Sequence, residues 1–223
     1  MHREFHTVAG RSKRVLGSIK KQLTGVELCK DMLVILPTEH IGRGFLIEAT
    51  STKDRIYLWK VVTPLHRPMR DVILDYSDRI FPETGEDIYI YKDDYERSID
   101  RLRALVANHM AGLSRIRSPC DFLRHIDWMR GNKSTLFRFD LALTYFRIGR
   151  VRECANLLCA LDSEIDQHDR TYLGEHQLKD PVADNIKQAT RALQQGPIAL
   201  AALLDRWEQI NVDRLGLQPS RSQ

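Results

Sequence analysis

The chain has no long apolar run. Its longest, Ile198 to Leu204, covers seven residues, far short of the roughly 20 that a membrane-spanning helix needs, and this excludes a transmembrane helix. Cysteine is scarce as well. Cys29, Cys120, Cys154 and Cys159 show no paired CxxC spacing, and no secretory apolar segment precedes them, so neither a zinc ribbon nor a disulfide scaffold is supported. Cys154 and Cys159 stand five apart on an expected helix, where the angular offset turns them in different directions. Four reduced, mostly buried thiols are expected, and with them a cytoplasmic location. GxxxxGK[ST], HExxH and GxSxG are also missing, which leaves the common motif-bearing enzyme classes without support.

What is present is the composition of a soluble globular protein: 223 residues, 43% hydrophobic, 29% charged, with a mean hydropathy of −0.37. Such a chain has room for a full core. Its net charge of +4 is unevenly spread, because residues 1–80 carry 14 Lys and Arg against 9 Asp and Glu, while residues 81–223 carry 20 against 21. The basic excess peaks at Arg11, Lys13, Arg14, Lys20 and Lys21, a stretch without an acid, and Val8, Val15, Ile19 and Leu23 recur at helical spacing on another side. The pattern predicts an amphipathic basic helix that packs its apolar stripe on a sheet.

The sheet itself is legible from Ile41 to Leu65. Phe45 to Ala49 and Ile56 to Val62 are β-branched, aromatic or apolar, and the STKDR between them supplies turn chemistry, so a β-hairpin is expected. Met32 to Leu36, Val72 to Tyr76 and Ile88 to Tyr91 are further strand candidates. No helix-length segment separates them, so parallel crossovers do not fit and the sheet should be largely antiparallel. Gly42-Arg43-Gly44 lacks the third glycine of a dinucleotide loop and leads into a strand, which predicts a turn before that strand.

From Asp94 the period becomes helical. Tyr95, Ile99, Leu102, Val106, Met110, Leu113 and Ile116 form one stripe, Asp93 and Glu96 have capping-box spacing, and Ser118-Pro119 ends the stripe and caps a next helix running to about Arg130. Helices over 135–148 and 151–162 pair about Gly149. The polar segment Asp162 to Lys179 reads as a loop or short helix, and helices over 181–195 and 197–210 follow. In the last of these, Ile198, Leu200, Ala201, Leu203, Leu204 and Trp207 are expected to be buried. The fold expected is α+β: an N-terminal helix and a four- to five-stranded, largely antiparallel sheet (residues 1–92) packed beside an all-helical lobe (93–217), with a disordered tail (218–223).

In the helical pair over residues 136–161, Leu141, Ala142, Tyr145 and Gly149 fall at the large, small, aromatic and turn positions of a tetratricopeptide repeat, with Cys154 where a small residue is usual. The stretch resembles one degenerate unit of that family. Arg138 and Leu161 depart from the pattern, and no second copy follows at the repeat's period. The resemblance implies peptide or protein binding.

For a small site, His40, Arg43, His66, Arg67 and Arg70 lie at strand ends and in loops, where a sheet could gather them into an anion- or substrate-binding patch. Asp162, Glu164, Asp166, His168, Asp169, Glu175 and His176 match no metal-ligand spacing, so a solvated acidic loop is expected and no metal is assigned. Asp71, Asp75 and Asp78 lack the Glu-x-Lys of a metal-dependent nuclease. Tyr57 and Trp59 share one strand face with Phe45 and Ile47 beside them, which reads first as core and second as a stacking platform for RNA. No nucleophile, base or cofactor set converges. The leading expectation is therefore a non-catalytic protein-interaction module with a protein partner, an acidic one where the basic helix steers it, of the general character of bacterial accessory or toxin-immunity proteins. Nucleic-acid binding through the basic helix and an enzyme acting on an anionic substrate at the His/Arg patch are the alternatives.

Overall fold

A computed structural model describes residues 8–52, 54–69, 76–171 and 181–216. The chain is α+β, as expected, and divides into two compact units: Met1–Thr63, Asp71–Arg117 and Val212–Gln223 form the first, Pro64–Arg70 and Ser118–Asn211 the second. No helix among the described residues is long and apolar enough to cross a membrane.

The first unit opens with α1 (Val8–Lys20), whose Val15, Leu16 and Ile19 are buried against β1 (Val26–Cys29), β2 (Met32–Ile35), β3 (Ile41–Ala49) and α2 (Tyr95–Leu113). Sequence patterning missed β1. It pairs with β2 in a two-residue hairpin, Cys29 opposite Met32, whose turn has no glycine. Lys30 takes the left-handed conformation itself, at φ 54°, which such turns demand at their first central position. The sheet runs β1-β2-β3-β4-β5. β4 (Arg55–Pro64) pairs antiparallel with β5 (Ser77–Ile80), Leu58 opposite Ile80, and near its start with β6 (Ile88–Tyr89), Ile56 opposite Ile88. Of the strand expected at Val72 to Tyr76, residues 72–75 lie outside the described residues, and the strand that is described starts at Ser77.

Gly42, Arg43 and Gly44 lie inside β3 and not in a turn before it. The reason is steric. Gly44 faces Val34 across the β2–β3 ladder, and a Cβ there would stand 1.9 Å from the Leu33 carbonyl oxygen, so only glycine lets the two backbones approach. α2 begins after Asp94 with no side-chain cap, so the box expected at Asp93 and Glu96 does not form. Ser98 instead returns its hydroxyl to the Asp94 carbonyl at 2.9 Å. α2 belongs with the sheet, on the other side of the division from where a boundary at residue 92 puts it.

The second unit holds α3 (Pro119–His125), α4 (Thr135–Arg147), α5 (Val151–Thr171), α6 (Pro181–Gln195) and α7 (Pro197–Leu215) up to Asn211, together with the segment from Pro64. Ser118 caps α3 in a full capping box with Asp121, but the helix stops at His125 and a single 3₁₀ turn, Asp127–Met129, follows where a continuous helix to Arg130 was expected. Gly149, at φ 80°, turns α4 into α5. Its N–H donates to the Phe146 carbonyl at 3.0 Å and the Arg150 N–H to that of Tyr145 at 2.8 Å, the two bonds of a Schellman end. α5 continues well past Asp162, so the start of the expected polar loop is helix; residues 172–180 lie outside the described ones. Phe139, Leu143, Leu158, Ile186, Leu200, Leu204 and Trp207 build the core, with Phe139 edge-on to Trp207 at 6.4 Å. Ile198 departs from expectation: it is 87% exposed.

Because the Gly44 site is closed by backbone, Gly44→Ala is expected to destabilise the protein by roughly 2–4 kcal/mol. Gly112→Ala, which meets no atom within 4 Å, should be neutral or stabilise by up to about 1 kcal/mol. Urea unfolding compares the two, and equal midpoints would remove the steric reading of Gly44.

Candidate functional site

The expected His/Arg patch is distributed over both units. His40 and Arg43 lie in the first unit and His66 and Arg67 in the second, while Arg70 lies outside the described residues. Arg43 is 1% exposed on β3, and its guanidinium donates to the carbonyls of Pro37 at 2.8 Å and Ile41 at 3.3 Å. It is holding backbone, not waiting for an anion. His66 and Arg67 are brought together, but on α4 and out of solvent, at 0% and 3% exposure.

Their surroundings form a buried polar clamp. Arg67 Nε stands 2.6 Å from Asp140 Oδ1. The Thr144 hydroxyl donates to the Asp140 carbonyl at 2.6 Å and so receives the Nε2–H of His66, 3.2 Å away. Asn211 completes the set. Its amide nitrogen donates to the carbonyls of Leu65 at 2.7 Å and Arg67 at 2.5 Å, and its oxygen accepts from the Met69 N–H at 3.2 Å. Asp140, Thr144 and Asn211 were not singled out by sequence reasoning. The signal was available for two of them: Asp140 and Thr144 interrupt the apolar pattern of α4 at i, i+4, which puts two polar groups on one buried face.

The basic face of α1 is partly engaged. Arg11 reaches Asp54 at 3.5 Å, Lys20 reaches Glu27 at 2.6 Å, and Arg14 lies 5.7 Å from the Tyr95 ring centre, while Lys13 and Lys21 are exposed. Two carboxylates of the acidic segment, Glu164 and Asp166, are paired on helix surfaces. Arg138 donates twice to Glu164, at 2.6 and 2.8 Å, which raises the guanidinium pKa and lowers that of the carboxyl through the hydrogen bond; Lys187 holds Asp166 at 3.2 Å. Phe45 and Ile47 are core, whereas Tyr57 and Trp59 are half-buried. Burial pushes the Cys154 thiol up to about 12 and raises that of Cys29, which leaves both protonated and unreactive at neutral pH.

An open groove runs between α6 and α7. Gln188, Arg191, Ala192 and Gln195 line one side; Ala199, Ala202, Leu203 and Arg206 line the other. Each set follows i, i+3, i+4, i+7, so each helix offers one stripe. The cavity volume is about 260 Å³, below the roughly 300–1,000 Å³ of small-molecule sites. The floor is alanine and leucine, and Arg191 and Arg206, both exposed, pair with no carboxylate among the described residues. Comparison with protein-family models, characterised proteins and solved structures returned no match for this chain.

Breaking the buried pair on one side leaves an uncompensated charge, so Arg67→Met or Asp140→Leu alone should cost roughly 3–5 kcal/mol, and the double variant should recover much of that loss. A double-mutant cycle in urea tests it; additive losses would sink the pair as a unit. Iodoacetamide at pH 8 is expected to label the exposed Cys120 and Cys159 and spare Cys29 and Cys154, as read by mass spectrometry of the native protein.

Proposed function

We propose that the protein is a non-catalytic interaction module of the cytoplasm, whose helical unit binds an acidic segment of a partner protein in the groove between α6 and α7. The observation that carries this reading is the pair Arg191 and Arg206 across a floor of small side chains. Four other cations of the unit are spent internally: Arg147 on Asp205 and Glu208, Arg138 on Glu164, Lys187 on Asp166, Arg150 on Glu153. The two groove arginines keep their forked donors for carboxylates from outside, where bidentate geometry adds orientation as well as energy. Alanine at 192, 199 and 202 lets a partner helix or extended backbone come close, and the amides of Gln188 and Gln195 supply donors and acceptors beside it. The resemblance of residues 136–161 to a tetratricopeptide pair carries the same implication of peptide binding.

The rim is solvated, so affinity rests on a few contacts and should fall with salt. Arg191→Glu with Arg206→Glu is expected to weaken partner binding by about tenfold or more, without changing the fold. The test is capture from native lysate with and without nuclease, wild type against this variant and against Lys13→Glu with Lys21→Glu. A stoichiometric acidic protein lost only with the groove variant supports the reading. Nuclease-sensitive material lost only with the α1 variant would replace it by nucleic-acid binding.

A further inference from the structure

One end of the groove between α6 and α7 is fixed by the chain itself. Gly196 alone joins Gln195 to Pro197, and Gln195 and Ala199 line the groove beside that link, so depth can be counted from there along both walls. At about 1.5 Å of rise per residue, Arg191 lies about 6 Å in from Gln195 and Arg206 about 10 Å in from Ala199. The two guanidinium groups therefore spring from opposite walls about one helical turn apart in depth.

A third group stands at the closed end. Ile198 is 87% exposed although it belongs to the longest apolar run of the chain. It lies one turn before Ala202 on α7, and so borders the groove at the end away from Arg206. Cations on the two walls and an aliphatic side chain at the mouth make the surface directional: it asks for acid further in and for an apolar group near Gly196.

The walls also bear on the backbone of the occupant. Both are helices, whose main-chain groups bond within their own ladders. An extended segment would lay its N–H and C=O groups against the methyls of Ala192, Ala199 and Ala202, and the amides of Gln188 and Gln195 are the only acceptors among the lining side chains. A helix satisfies its own main chain, and small host side chains let its axis come near. Helices that dock in grooves present anchors at i, i+3, i+4 and i+7, the spacing that each wall displays.

Charge and depth then set the sequence. Two arginines one turn apart call for two carboxylates three or four residues apart, and Ile198 calls for an apolar side chain about one turn further on. Resting on the groove reading above, we propose that the occupant is an amphipathic α-helix of the partner, with Asp or Glu at i and i+4 and Leu, Ile or Met at i+7 on one face. Its acids fall in the turns nearer its N-terminus, where they also meet the positive end of the helix dipole.

The test is fluorescence anisotropy of labelled peptides titrated with the full chain to roughly 200 μM. The first peptide is an alanine-based helix with Glu at i and i+4 and Leu at i+7. The second replaces the alanine at i+2 by proline, which breaks the helix and keeps the charge. The helical peptide should bind at least about tenfold more tightly than the broken one, and Ile198→Ser, at an exposed position and checked by circular dichroism, should weaken it by about five- to tenfold. Arg191→Glu with Arg206→Glu should abolish binding, and Trp128→Ser, which removes a 73% exposed ring on the 3₁₀ turn, should leave it unchanged. Equal affinity for the two peptides, or indifference to Ile198→Ser, overturns the helical occupant; the acidic groove still stands if the arginine variant abolishes binding. Failure of both peptides to bind also overturns the helix and leaves the groove reading to the lysate capture, whereas binding indifferent to the two arginines removes both.

Discussion

One buried ion pair governs how the helical unit is assembled. Arg67 comes from an irregular segment with no strand or helix to satisfy its backbone, and Asp140 is fully enclosed on α4. Taking both charges out of water costs several kcal/mol per ion unless geometry and neighbouring groups compensate. The pair meets this cost by its own close contact, and two helix side chains beside it answer the polar groups of the segment. Asn211 takes two carbonyls and one N–H of residues 65–69, and Thr144 meets His66. Helix side chains thus stand in for the hydrogen-bond ladder that an irregular buried backbone lacks.

The clamp also fixes α7 on α4. Asp140 follows Phe139 in sequence, and Asn211 lies one turn beyond Trp207, so the polar contacts and the edge-on ring pair tie the same two helices at adjacent levels. The groove is made from another stripe of α7, Ala199 to Arg206, facing α6. Its geometry is inherited from a helix already pinned on its inner side. A surface needing two arginines a set distance apart benefits from such support, because rigid placement lowers the ordering cost of binding.

The two units handle charge differently. In the proposed groove contact two cations stand over small apolar residues, a setting that would attract carboxylates and weaken with salt. The outer face of β4 and β5 cancels its charges internally, Arg55 and Arg79 both meeting Asp87. Between these extremes stands α1, whose basic stretch is conspicuous in sequence but is partly answered by Asp54, Glu27 and Tyr95. A run of like charge reports a field only after its folded partners are counted.

By itself the sequence determined the α+β class, the hairpin of β3 and β4, the stripe of α2 and the helices over 135–147, 181–195 and 197 onward, because each rests on local periodicity or on a cap within a few residues. It misjudged what depends on long-range fit. β1 was hidden since its turn borrows a left-handed lysine, Gly44 looked like turn chemistry when it is a backbone contact with Leu33, and Ile198 belongs to an apolar run yet faces out. Tertiary structure alone decided that Arg43 and Arg67 are buried anchors, that α2 joins the sheet, and that residues 188–195 and 199–206 become two walls of one groove. The physical reason is that a charge or ring means opposite things when enclosed and when exposed, and enclosure is set by neighbours distant in the chain.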